Sequence, residues 1–225
     1  MGTKNNNIVS RLVYENAKAA VIAAFAGTPG FDIAAYKLTQ SYLRLEQALV
    51  TTKAQYTFPV LTNQGTPTNT EQRLNLQDSF VISHVGFFLL APASATDATK
   101  IPQTYPDPLT FATGAAAAGV LYSGYLNISV NNNVLVPAWD LFRHYQTNQT
   151  QSSVAAGAPP PNAVLAQIDG GNDSFYAMEP NIIIVGSKNN VITINLPAAV
   201  ATVDSNSRIV LIFRGILAQN STVVS

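Results

Sequence analysis

The sequence predicts a mainly β protein, an antiparallel sandwich or barrel, with a helical arm at its N-terminus. Three observations carry that expectation. Beyond Thr52 the chain breaks into short apolar runs alternating with polar residues, the period-two pattern of half-buried strands. Clusters of Asn, Gly, Pro and Thr separate those runs where an α/β protein would place helices. Residues 8–50, by contrast, are rich in alanine and carry apolar side chains at spacings of three and four. The expected division is therefore an arm over residues 1–53 and a β domain over residues 54–225.

In the arm, IVSRLVYENAKAAVIAAFA (Ile8 to Ala26) has no glycine or proline, with Asn7 as an N-cap and Gly27 as a C-terminal stop. After the GTPG breaker, Asp32 can cap a second helix. In it Ala35, Leu38, Tyr42, Leu45 and Leu49 would form one apolar stripe, leaving Lys37, Arg44 and Glu46 outside it. Two readings follow from the stripe. The helices pack on the β domain or on each other, or they form an oligomerisation arm in which Leu38, Tyr42, Leu45 and Leu49 meet a neighbouring subunit. Residues 1–53 hold six Lys/Arg and three Asp/Glu, a net charge of +3 that leaves −3 for the remainder. This asymmetry suits contact with an acidic partner and is too small for nucleic-acid binding.

The β domain opens with Gln55 to Thr62 as a strand, then the polar loop NQGTPTNT. LNLQDSFVISHVGFFLLAP gives one or two strands, in which Phe80, Ile82 and His84 are expected on one face and Ser79, Val81 and Ser83 on the other. Pro92 to Gly119 reads as a long ordered loop. In LNISVNNNVLVPAW (Leu126 to Trp139) two alternating runs flank three asparagines, which tolerate positive φ, so a hairpin is expected. Pro137 cannot donate to a ladder and ends the second strand or places it on a sheet edge. Gln146 to Asn162 is a second breaker segment whose proline triplet favours an extended conformation. Asn181 to Gly186 and Val191 to Leu196 flank SKNN as a second hairpin, and SRIVLIFRGILAQ supplies a further strand.

Composition limits function. Lys plus Arg number 12 and Asp plus Glu 12, a formal charge of zero, which argues against coating nucleic acid. Only 11% of residues are charged, against about 25% in typical soluble domains. A free monomer so poor in charge would associate with itself, so much of its surface is expected to be covered by copies or partners. There is no cysteine, which excludes disulfides, zinc ribbons and cysteine nucleophiles. The N-terminal MGTKNNNIVSR lacks a secretory pattern, and the apolar run Ile209 to Phe213 is too short to span a membrane. A chain made in the cytoplasm is expected.

Chemistry-bearing residues are few. His84 lies inside an apolar strand pattern and reads as a hydrogen-bonded structural histidine. His144, in WDLFRHYQ, reads as part of a short helix or bend with an interface role. No HExxH, GxSxG, Walker or GxGxxG signature occurs, and neither cofactor nor metal is expected. DGGND (Asp169 to Asp173) lacks the spacing of a calcium loop and reads as a turn. Trp139 beside Asp140 offers an aromatic platform with an acid, either for a sugar or for a subunit contact. Arg208 and Arg214 bracket the apolar strand and either snorkel at its ends or form bidentate pairs with carboxylates of a neighbouring subunit.

With its low charge, its helical arm and its long loops, the chain resembles bacteriophage virion structural proteins, including jelly-roll coat proteins. The stretches LYSGYLNISVNNNVLVPAWDLF and SRIVLIFRGILAQ look like core strands of such a sandwich. The resemblance implies a jelly-roll-like sandwich and a self-assembling, non-enzymatic role in the virion, with copies of itself and other virion proteins as partners and no direct contact with nucleic acid. It transfers no functional residue. A carbohydrate- or receptor-binding module using Trp139, Tyr105, Tyr122 and Tyr125 is the alternative.

Overall fold

The computed structural model describes residues 6–28, 32–92, 94, 97–99, 101–106, 111, 115–146, 149–151, 164–166 and 174–221. The acidic turn Asp169 to Asp173 and the proline triplet at 159–161 lie outside these residues.

The chain is mainly β, as its alternating runs predict. Strands β1 (Lys37–Ala48), β2 (Gln55–Phe58) and β3 (Ser79–Leu90) come first, and a short helix α2 (Ala115–Ala118) leads to β4 (Tyr125–Val130) and β5 (Asn133–Asp140). A ribbon of β6 (Gln149–Gln151) and β7 (Val164–Ala166) precedes β8 (Phe175–Val185), β9 (Asn190–Asn195) and β10 (Arg208–Gln219). Two antiparallel four-stranded sheets result, ordered β1-β10-β3-β8 and β2-β9-β4-β5. They share one hydrophobic core. Leu43, Leu45, Phe80, Phe87, Leu211 and Phe213 of the first sheet pack with Tyr56, Phe58, Leu126, Ile128, Ile192 and Ile194 of the second. The architecture is β-sandwich-like.

Helix α1 (Asn6–Phe25) agrees with the expected first helix, and Gly27 at φ +85° follows its last turn as the stop. It lies on the outer face of the first sheet, where Ala17, Val21 and Phe25 meet Val81, Val185, Ile216 and Ala218. The outer face of that sheet therefore carries an apolar patch of its own under α1.

The expected second helix is corrected by the structure. Residues 37–48 form β1, paired with β10 over twelve residues from Lys37↔Gln219 to Ala48↔Arg208. Asp32 does cap, but it caps the single 3₁₀ turn Ile33–Ala35 through a 2.9 Å bond accepted from Ala34 N. The stripe is dispersed by the pleat: Leu45 and Leu49 enter the shared core, Leu38 packs on the other face beside α1, and Tyr42 is exposed. With apolar residues on both faces of the strand, Leu38 and Tyr42 on one and Leu45 and Leu49 on the other, the period-two alternation is lost and the spacing coincides with a helical one.

Two further expectations change. The SKNN segment does not close a hairpin, because β8 and β9 belong to different sheets; it is a crossing turn held by Asn190 Nδ2, which donates to Val185 O and Lys188 O. His84 does not share a face with Phe80 and Ile82. The register of β3 shifts between Ile82 and His84 against both of its neighbours, so Ser83 is an extra residue and His84 turns to the outer face while Val85, Phe87 and Leu89 continue the core. The asparagine hairpin is as expected, with Asn131 and Asn132 at φ 49° and 63°. Pro137 sits in β5, at the edge of its sheet. The two asparagine turns also clasp each other: Asn131 N donates to Asn189 O and Asn189 N to Asn131 Oδ1.

Candidate functional site

Three groups of side chains stand out from the apolar framework. The first is ionic. Glu46 projects from β1 and is 4% exposed; its carboxylate takes Arg44 at 2.8 Å, Arg208 at 2.9 Å and the Thr70 hydroxyl. Beside it Glu71 pairs with Arg73 at 2.8 Å and accepts the backbone N–H groups of Glu46 and Thr68, while Arg73 reaches back to Gln64 O. Burial by itself would raise the Glu46 pKa, but bonds from Thr70 and Arg208 and the charges of Arg44 and Arg208 outweigh it and hold the carboxyl below its usual range. Five charged side chains thereby tie the β2–β3 connection to β1 and β10. The concentration of charge in RLEQ and EQR, in so neutral a chain, is the sequence signal that could have found them.

The second group surrounds the Ser83 bulge. Gly215 lies opposite it, and a Cβ there would come within 1.8 Å of Val81 O, so only glycine fits. Ser83 has one hydroxyl proton and donates it to Arg214 O at 3.1 Å; His84 Nδ1, 3.0 Å from Ser83 Oγ, is then the donor of that pair. Nε2 is left as the acceptor of the neutral ring. Burial, followed by the Arg214 charge, lowers the pKa of His84 and favours that neutral form. Arg214 is exposed and lays its guanidinium 3.6 Å from the Phe175 ring centroid.

The third group is an aromatic corner at one end of the sandwich. Trp139 Nε1 donates to His144 Nε2 at 2.9 Å, which assigns the other proton to Nδ1 and directs it to Ser174 O at 3.2 Å. His144 is fully buried between Phe87 and Tyr176, and burial pushes its pKa down to about 4. Arg143 covers the indole face at 4.2 Å. Tyr122 is buried, whereas Phe142, Tyr145 and Tyr125 are exposed at 67%, 42% and 43%. Phe142 and Tyr145 lie with their rings 7° from parallel.

The interface candidates thus divide. Leu45 and Leu49 are core residues, Leu38 is half-buried under α1, and Arg208 is engaged by a carboxylate of its own chain. Tyr42 and Arg214 are exposed, and Trp139 is half-buried with its N–H and one face occupied within the fold. The two histidines are far apart in role as well as sequence: His144 is sealed in the aromatic corner, and His84 faces outward. No helix among the described residues is long and apolar enough to cross a membrane. No known family, curated protein or solved structure matches the chain.

Proposed function

We propose that this chain is a structural, self-assembling component of a phage particle, and that its sandwich is a jelly roll. The strand order carries the reading. Numbered along the chain without the short β6–β7 ribbon, the sheets read 1-8-3-6 and 2-7-4-5. Strands 1 and 8, 2 and 7, 3 and 6, and 4 and 5 are all antiparallel partners, as they are when one long hairpin is rolled up. That arrangement serves viral capsid and lectin domains alike. Low charge favours the first of these, since wide neutral surfaces associate without desolvating ions. On this reading the protein is made in the host cytoplasm, resides in the virion with copies of itself and other virion proteins, and performs no catalysis.

Sedimentation and single-particle imaging of the purified protein test the reading: rings or shells are expected, and a stable monomer in concentrated neutral solution overturns it. Exposed Phe142 and Tyr145 favour a second reading as a saccharide-binding module. Trp139 does not support it, because Arg143 already occupies its ring. Saccharide binding lost on Phe142→Ala would favour that second reading.

A further inference from the structure

The register shifts in β3 and β8 have a common result. Against β3, β8 steps from Ile182 to Ala177, setting four residues of β8 outside the ladder at the level of Ser83. Above this gap stands the middle of α1, from Leu12 to Ala20, while Ala17, Val21 and Phe25 anchor the helix on the sheet. Between them lies an open groove of ≈ 710 Å³, within the range of about 300–1,000 Å³ that ligand sites occupy. Leu12, Val13 and Ala20 of α1 and Ala177 of β8 make its walls largely apolar, Glu179 of β8 adds a carboxylate, and His84 reaches it from β3. The bulge is what aims His84 there, since regular pleating would bury it with Phe80 and Ile82. Bulges often re-aim side chains in this way at functional sites.

We propose that this groove binds a small, largely apolar molecule that presents a hydroxyl or N–H donor to His84 Nε2. The polarity of the bond is set by the chain: Arg214 O accepts from Ser83, Ser83 accepts from His84 Nδ1, and Nε2 offers a lone pair. A ligand with only acceptors gains nothing from it. The apolar walls supply the affinity and His84 the selection, so a donor-bearing ring is favoured over its methylated counterpart by about fivefold, the worth of one hydrogen bond.

Calorimetric titration of the full chain with phenol and with anisole tests this, because the two share a ring and differ in the O–H. Saturable binding of phenol, about fivefold tighter than anisole, is expected. His84→Phe should erase the preference. Ala19→Trp, on the exposed side of α1 at the groove, should weaken both ligands without touching the core, and it keeps the test available if the histidine variant fails to fold. No saturable binding, equal affinity for the two ligands, a preference that survives His84→Phe, or affinities unchanged by Ala19→Trp would each overturn the proposal.

Discussion

His144 illustrates how a polar residue can belong to a core. Both ring nitrogens are committed, one accepting from Trp139 and one donating to Ser174 O, so the neutral ring is fully satisfied and the cation has no place. Its pKa falls from 6.5 to about 4 mainly through burial, with the Arg143 charge assisting against Ser174 and Asp140. The unfolded chain therefore takes up a proton first. This contribution is complete above pH 6.5 and is lost as pH falls toward 4, by about 3 kcal/mol. Urea unfolding of the wild type should show that slope, and His144→Gln should flatten it while destabilising the protein at neutral pH. Glu46 gives a second expectation at this scale. Glu46→Gln leaves Arg44 and Arg208 half-buried without their anion, and a loss of about 3 kcal/mol is expected in denaturant unfolding. Sequence alone reads His84 as a structural histidine and His144 as an interface residue; it does not reveal that His144 is the sealed one and His84 the outward one, because Ser174 comes from thirty residues away and the turn of His84 from a bulge.

Among the elements, β3 and α1 decide most. The bulge at Ser83 depends on Gly215, and Gly215→Ala must push Val81 away; a cost of about 3 kcal/mol or more is expected, read as a lowered melting temperature. Deleting residues up to 28 should keep the β-type circular dichroism but expose Val81, Val185 and Ile216, lowering stability by about 3 kcal/mol or more. A deletion reaching Lys53 should not fold, because it also removes β1 and with it a partner of β10. Strands bearing one wet face, such as β4 and β9 with their alternating burial, are legible from period two. β1 is not, since its outer face mixes Leu38, exposed Tyr42 and the Arg44–Glu46 pair, and no clean alternation with Leu43 and Leu45 results. The SKNN turn reads as a hairpin because turn residues mark a reversal without saying which sheet receives the next strand.

For the molecule as a whole, the strand edges are guarded. β5 carries Pro137 and two register shifts, β2 is four residues long, β8 is interrupted by four unpaired residues, and Gln72 hydrogen-bonds across the β1 edge to Arg44. Association by strand addition is thereby discouraged. In the proposed assembly, contacts between copies would fall instead to faces and loops, where Arg214, Tyr42 and the Phe142–Tyr145 corner are exposed. Arg214→Ala should weaken assembly more at low salt than at high salt in sedimentation, as an exposed pair is screened. Equal loss at every ionic strength would place Arg214 within its own fold.

The position of β10 between β1 and β3 has a consequence in time. Lys37 pairs with Gln219 and Ser79 with Ala218, so two early strands wait for the same late one. At roughly 5–20 residues per second of synthesis, β1 spends about 10–30 s without its partner. During that interval its apolar side chains are open to any strand that passes. Pairings so distant in sequence also slow the final search. Refolding should accordingly be slow and concentration-sensitive, with yield falling as neighbouring chains compete for the place that residues 208–219 fill.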